Sequence, residues 1–233
     1  MPIRLSQLTA KEYKDRLKYR CIHRHNGLPI ENQHPKCYDE AFGVKPERIG
    51  FVDIETGDLK AQWGIVYCYY VLPSDSDEYK HRVVTIKELK DEVYDKAVLK
   101  DFIEDIKGFD RLVLQYGTDR KFDLPFLRSR AVKWRLPFPE YKTFVTGDTW
   151  TILRNKFCLK GNGLWSACNF FGIPAKGHRI NQDIWLGMIT GNPKIMQKSL
   201  DYISVHCKED VFSTRGLWNL IYPYVNSRAK TSI

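Results

Sequence analysis

Two carboxylates stand close together at the end of an apolar run in the first third of the chain. Asp53 and Glu55 lie in GFVDIETG, where the pattern predicts the end of a β-strand. Side chains alternate across a strand, so residues two apart project from the same face. Like charges so close repel each other, and a hard divalent cation with oxygen ligands would relieve the repulsion. An Asp-x-Glu pair is also common at a solvated strand end, so the metal hypothesis depends on further acids.

Two further acids and a histidine occupy positions that favour a shared site. Asp123 lies in KFDLPFL, at the turn from a predicted strand to a predicted helix, where capping the helix N-terminus is the alternative role. Asp210 follows His206 by one turn of a predicted helix, so their side chains share a face. His206 is either part of the chemistry or a packing histidine. These residues together predict a carboxylate-rich centre.

The N-terminal segment CIHRHNGLPIENQHPKC holds several metal-ligand residues within 17 positions. Residues 1–47 are polar and show no strongly periodic apolar run after about residue 20, so a bound metal would supply order that a core does not. Thiolates and imidazoles are the ligands that tetrahedral zinc prefers. We predict a zinc site formed by Cys21, His23, His34 and Cys37, with His25 as the main alternative to His23. The other interpretation is an exposed loop that is merely rich in histidine.

A basic and aromatic segment follows further along the chain. The net charge is +9, and Thr149 to Gln182 contains no acid. Basic side chains are interspersed with aromatic ones along this segment. The basic residues are Arg154, Lys156, Lys160, Lys176 and Arg179, and the aromatic residues are Trp150, Phe157, Trp165, Phe170 and Phe171. Basic side chains can neutralise phosphates, and aromatic rings can stack on unpaired nucleobases. We therefore predict a surface that binds a nucleic-acid strand, with Lys176 and Arg179 as its phosphate contacts. The alternative is that the rings are core and the charges a solvated face.

The elements that must position these groups follow an α/β pattern from residue 48 onwards. Apolar, β-branched or aromatic runs predict strands at 48–55, 63–72, 82–86, 111–116 and about 142–146. The first three are close neighbours, which favours an antiparallel meander. Leu99, Phe102, Ile103 and Ile106 form a helical stripe before the fourth run and imply a crossover. Further helices are predicted over about 124–134, 149–155, 163–171 and 194–220.

Length and composition set the broad class of protein. The chain has 233 residues, of which 43% are hydrophobic and 28% charged, which suits one catalytic domain with a small appendage and excludes a fibrous protein. We expect a zinc-binding extension at 1–47, a catalytic domain at 48–225 and a flexible tail at 226–233. No run approaches the roughly 18 apolar residues of a membrane helix, and the start lacks the apolar run of a signal peptide. We therefore expect a cytoplasmic protein without a membrane partner, or one of the host cytoplasm or nucleoid if the chain is viral.

Three segments carry a resemblance to a known superfamily. FVDIET, FDLPFL and HCKEDV, with 70 and 87 residues between their acids, resemble the three motifs of the DEDD 3′–5′ exonucleases of the ribonuclease H-like fold. The likeness covers roughly 48–222 and is greatest to family-B-polymerase-type proofreading domains and YprB-like predicted exonucleases. It implies a mixed five-stranded sheet with helices on both faces. The Cys/His segment ahead of DIET is similar to an N-terminal element of phage- and archaeal-type members.

The resemblance also implies a reaction. Carried onto matching positions, Asp53, Glu55, Asp123 and Asp210 would bind two Mg²⁺ or Mn²⁺ ions about 3.5–4 Å apart, which activate water and stabilise the leaving 3′ oxygen. The superfamily adds a group that orients the attacking water.

The chain departs from the superfamily at two places. The water-orienting group is a His five residues before the last Asp in one subgroup and a Tyr four residues before it in the other, whereas this chain has Val205 and His206 at those positions. His206 therefore combines the Tyr position with His chemistry, as base or water-orienting group. Tyr116–Thr118 (YGT) stands where relatives often have His-Asn-Gly, which affects how a terminal nucleotide is held.

These observations predict a metal-dependent 3′–5′ exonuclease that acts on the 3′ end of single-stranded or frayed DNA. Its cofactors would be two Mg²⁺ or Mn²⁺ ions and one structural Zn²⁺. DNA is favoured over RNA by the resemblance alone, and a separate polymerase or repair protein would be a further partner. The alternatives are a structure-specific endonuclease or ribonuclease of the same fold, and a non-catalytic nucleic-acid-binding module. The presence of all four acids argues against the last of these.

Overall fold

A computed structural model describes residues 8–19, 35–140, 143–175 and 180–225. The chain divides into two compact units, Met1–Arg48 and Ile49–Ile233. None of the helices in the described ranges combines the length and the apolar character needed to cross a membrane.

The described part of the first unit, residues 8–19 and 35–48, contains two short helices, α1 (Ala10–Lys18) and α2 (Pro35–Phe42). The hydroxyl of Thr9 and the carboxylate of Glu12 form a reciprocal capping box at the start of α1. Leu8, Tyr38 and Val44 form a small apolar cluster, so this unit has some core of its own.

The predicted zinc ligands cannot be placed in this unit. Cys21, His23, His25 and His34 lie outside the described residues. Cys37 falls within α2, but its side chain also lies outside the description.

The second unit is built on a five-stranded mixed sheet. Its strands are β1 (Ile49–Thr56), β2 (Val66–Pro73), β3 (Lys80–Val83), β4 (Arg111–Leu114) and β5 (Val145–Asp148), in the order β3-β2-β1-β4-β5. The pairs β1 with β2 and β2 with β3 are antiparallel, whereas β4 is parallel to both β1 and β5. The carboxyl ends of β1, β4 and β5 therefore meet at one edge of the sheet.

Helices cover both faces of this sheet. They are α3 (Ile86–Lys90), α4 (Lys96–Asp105), α5 (Asp123–Lys133), α6 (Thr149–Lys156), α7 (Leu164–Phe171), α8 (Gln182–Ile189) and α9 (Pro193–Ile221), with a 3₁₀ turn at Tyr222–Tyr224. Consecutive residues of a strand face opposite sides. Accordingly, the hydroxyl of Tyr69 donates to Asp105 of α4, whereas that of Tyr70 is 2.7 Å from Ser204 of α9.

The α/β class, the five-stranded mixed sheet and the helices on both faces are confirmed, and the arrangement is consistent with a ribonuclease H-like fold. The predicted strand at 82–86 was wrong at its end, because Thr85 and Glu88 form a capping box that starts α3. The fifth strand lies later than predicted, at Val145–Asp148. Helix α8 was not predicted.

Candidate functional site

The carboxyl end of β1 supplies the first two carboxylates. Asp53 and Glu55 are partly buried and lie on one face of the strand. β4 pairs with β1 at Ile49–Phe51, so the end of β1 that carries the two acids extends past this pairing. The pairing with β2 is irregular just after Glu55, and such irregularities increase local twist and often aim side chains at a site.

Helix α9 packs on this part of the sheet and supplies three more groups. Nδ1 of His206 lies 3.0 Å from Oε1 of Glu55 and 3.3 Å from Oδ2 of Asp210. Glu55, His206 and Asp210 each offer one ligand atom, and these atoms lie within 4.8 Å of one another. The thiol of Cys207 donates to the backbone carbonyl of Asp53 at 3.3 Å. Strand and helix are therefore tied together at the site itself.

Asp123 reaches the same centre from a third element. It is the first residue of α5 and is buried. The N-cap position belongs to Phe122, so the alternative role of N-cap does not apply to Asp123. A Cβ on Gly117 would lie 2.5 Å from Oδ2 of Asp123 and 2.7 Å from Cβ of Leu114. Only glycine allows the preceding loop to approach this carboxylate so closely.

Burial, and after it mutual repulsion, changes the acidity of these groups. Removal from water raises the pKa of Asp53 well above its usual range, and the charges of the other three carboxylates raise it further. Burial raises the pKa of Asp123 to about 7. The charges of Glu55 and Asp148 add to this rise, and hydrogen bonds from backbone N–H groups oppose it.

This donor set suits a hard divalent cation. The four carboxylates offer oxygen ligands, which Mg²⁺ and Mn²⁺ prefer. Among the described residues, no lysine or arginine forms an ion pair with Asp53 or Asp123. A divalent cation would stabilise the ionised carboxylates and reverse their raised pKa values. Glu55 and Asp210 place ligand atoms within 4.8 Å of each other, and Asp53 and Asp123 are near enough for their charges to interact with the other acids. The residues present therefore fit a metal that would be held by Asp53, Glu55, Asp123 and Asp210.

Two buried side chains next to this centre were not predicted to belong to it. Asp148 is the last residue of β5 and is fully buried, and its charge acts on Asp123. Cys207 is also buried, and its thiol contacts the backbone of Asp53. A signal for Asp148 was available, because an acid at the end of a parallel strand falls at the same sheet edge as the end of β1.

The basic and aromatic segment divides into different environments. Lys176 and Arg179 lie outside the described residues. Phe157 and Phe171 pack against the core, as the alternative interpretation expected for the rings, whereas Trp165 and Phe170 are exposed.

Trp150, in the same segment, belongs to a cluster at the start of α6. Its ring contacts Tyr116 edge-on, with centroids 5.0 Å apart. Nζ of Lys121 lies 4.1 Å from the Trp150 centroid, and the guanidinium carbon of Arg154 lies 5.2 Å from it. We call Tyr116, Lys121, Trp150 and Arg154 the aromatic-cationic patch. It adjoins the loop that leads to Asp123.

Known proteins offer only distant parallels. No protein-family model matches the chain, and no curated protein matches its sequence. Phi29 DNA polymerase complexed with single-stranded DNA is similar at 13% identity and a TM-score of 0.40, over 76% of this chain and 32% of that chain. Phi29 DNA polymerase complexed with primer-template DNA and incoming nucleotide substrates matches at 14% identity and a TM-score of 0.40, over 78% and 32% of the two chains. The chain thus spans about a third of the polymerase, and a likeness of this degree carries no argument about activity.

Proposed function

We propose that the protein is a metal-dependent 3′–5′ exonuclease that hydrolyses terminal phosphodiester bonds of single-stranded or frayed DNA. The observation that supports it most is the convergence of four carboxylates from β1, α5 and α9, with His206 among them. Their order and spacing match the three motifs of the DEDD resemblance. The 3′–5′ direction of degradation and the preference for DNA rest on that resemblance.

In this proposal each group has a task. Asp53, Glu55, Asp123 and Asp210 would hold two divalent ions. These ions would supply the activation of water and the stabilisation of the leaving 3′ oxygen. His206, whose Nδ1 lies 3.0 Å from Glu55 and 3.3 Å from Asp210, would orient the attacking water or accept a proton from it.

The aromatic-cationic patch would hold the single strand beside this centre. Tyr116 is 46% exposed, so its ring is open to a stacking base, and Lys121 and Arg154 can neutralise phosphates. Replacing Lys121 and Arg154 together with glutamine should weaken binding for all sequences and flatten its salt dependence. Lys176 and Arg179 stay proposed phosphate contacts, and a Lys176→Ala, Arg179→Ala variant is measured beside the first pair.

One assay tests the reaction and its alternatives. Oligonucleotides of DNA and RNA, labelled at the 5′ or the 3′ end, are incubated with Mg²⁺ or Mn²⁺ and with chelator. We expect a ladder that shortens from the 3′ end of DNA and stops with chelator. Cleavage of a covalently closed single-stranded circle would instead show an endonuclease. Strand binding without any metal-dependent cleavage would show a non-catalytic module.

We also propose that the N-terminal unit binds one structural zinc through Cys21, His23, His34 and Cys37, with His25 as the alternative to His23. The support is the ligand spacing in the sequence. Protein purified without chelator should carry about one zinc per chain, and Cys37→Ser should release it. Metal analysis that finds no zinc in the unmodified protein would contradict the proposal.

A further inference from the structure

Asp148 is a fully buried acid that lies beside the candidate metal centre but is not one of its predicted ligands. From its contacts we infer that Asp148 is a positioning residue, which fixes the loop Gln115–Phe122 and through it the carboxylate of Asp123. This inference rests on the proposed function, because it concerns the same centre.

Asp148 divides its two oxygens between two elements. Oδ1 accepts from the backbone N–H of Thr151 at 2.9 Å and so caps α6. Oδ2 accepts from the hydroxyl of Thr118 at 3.1 Å and, more weakly, from its backbone N–H at 3.4 Å. The side chain is fully buried, so these bonds are shielded from water. A capping residue needs only the first of these contacts; the second ties α6 to the loop.

The bond to Thr118 acts on Asp123 through one residue. Thr118 is adjacent to Gly117, whose backbone lies against Oδ2 of Asp123. The carbonyl of Gly117 also accepts from the backbone N–H of Leu124, at 2.9 Å. A shift of Thr118 would therefore move the surface against which the Asp123 carboxylate rests. Metal affinity depends on such outer contacts, because they orient the groups that bind the ion.

The residue after Asp148 holds the other end of the same loop. The hydroxyl of Thr149 is 3.2 Å from the carbonyl of Leu114 and also contacts Oε1 of Gln115. Nε2 of Gln115 donates to the carbonyl of Asn162 at 2.8 Å. Between these two anchors Tyr116 adopts a left-handed backbone conformation, with φ of +61°. A non-glycine residue keeps this conformation only where its surroundings enforce it.

Asp148 also lies where an acid is costly. It stands near Asp123, and another negative charge there adds to the repulsion in the centre. Serine, threonine or asparagine can cap a helix without that cost. The carboxylate is distinguished by its second acceptor oxygen, which holds Thr118 while the first caps α6.

The test removes the tie and leaves the cap in place. In Thr118→Val the hydroxyl is lost, whereas Thr118→Ser keeps it. Thr151→Val is the matched control, because Thr151 reaches Asp148 through its backbone N–H alone. Binding of Mn²⁺ is measured without nucleic acid by electron paramagnetic resonance of the free ion, with melting curves to verify folding. Initial rates on a single-stranded oligonucleotide give kcat and KM.

We expect Thr118→Val to weaken Mn²⁺ binding by about tenfold or more and to lower kcat, with little change in KM for the strand. Thr118→Ser and Thr151→Val should bind Mn²⁺ like the unmodified protein. Asp148→Asn should resemble Thr118→Val if it folds. Unchanged Mn²⁺ affinity in a folded Thr118→Val protein would overturn the inference alone. If the unmodified protein bound Mn²⁺ but did not cleave, the proposed exonuclease would be overturned, and the comparison of Mn²⁺ affinities would still test the role of Asp148. If the unmodified protein did not bind Mn²⁺, both the proposed function and this inference would be overturned.

Discussion

The acid Asp95 and the carboxylates of the candidate metal centre differ in how the fold balances their charge. Asp95, just before α4, is fully buried and accepts from Nε and Nη2 of Arg130, both at 2.8 Å. It also accepts from the indole of Trp134 and from a backbone N–H. Asp53 and Asp123 have other carboxylates as neighbours instead, and their pKa values are raised.

This difference in neighbouring charge distinguishes an acid with a structural role from an acid suited to binding a metal ion. A buried charge is tolerated when it is paired and hydrogen-bonded, and the fold itself supplies Asp95 with its cation. At the carboxylate centre the fold supplies like charges, so folding alone leaves repulsion that an external cation would relieve. Burial of an acid alone therefore does not indicate function. The sign of the charge on the neighbouring groups is the informative feature.

The sharpest test of this contrast is Asp53→Asn. We expect metal-dependent cleavage to fall by about a thousandfold or more, since an ion contributes several kcal/mol to the transition state and each 1.36 kcal/mol is a factor of ten. Thermal stability in chelator should stay constant or rise, because one repelling charge is gone. Cleavage rates and melting curves measure both effects. A variant with the unmodified rate would remove Asp53 from the centre and end the metal interpretation.

Asp95→Asn should show the reverse. It leaves Arg130 buried without its charge partner, and we expect the free energy of unfolding to fall by about 3–5 kcal/mol. Asp91→Asn is the control, because its pair with Lys87 is exposed to solvent and its loss should change stability little. Denaturant unfolding measures the loss. If Asp95→Asn were no more harmful than Asp91→Asn, the buried pair would not have the structural role assigned to it.

His206 has both a structural and a proposed catalytic role. Its imidazole contacts the carboxylates of Glu55 and Asp210, and it is the proposed base or water-orienting group. His206→Ala should lower turnover by about a hundredfold if the imidazole orients or deprotonates water. His206→Tyr should recover part of the rate if position matters more than basicity. Turnover with saturating Mn²⁺ measures the effect, and strand binding is the control. Full turnover in His206→Ala would exclude the residue from the mechanism.

A further consequence of the crowded carboxylates is a dependence of stability on pH. The pKa of Asp123 is about 7 in the folded protein against an ordinary value of 3.8, so the folded state holds this proton more tightly than the unfolded state. Without metal, stability should therefore fall as pH rises from about 4 to 7 and level off above that. Melting curves in chelator should show this fall reduced in Asp123→Asn. Equal slopes for both proteins would show that Asp123 ionises normally.

Local patterns in the sequence were sufficient to predict several features of the molecule. The β1 run and its Asp-x-Glu end, the helical spacing of His206 and Asp210, and the approximate positions of the five strands along the chain all depend on periodicities of two or 3.6 residues. These periods are set by backbone geometry and so can be read from neighbouring residues. The error at the end of the third strand arose because the capping box of Thr85 starts α3 there.

Tertiary structure alone decided how distant groups meet. Asp95 pairs with Arg130 across 35 residues, Asp148 with Thr118 across 30, and Glu55 with His206 across 151. No local period relates such positions, because their distance depends on how strands order in the sheet and how helices pack on it. The sequence by itself determined which residues could carry charge and metal. The packing decided which buried acid was placed beside an arginine and which acids were placed among other carboxylates.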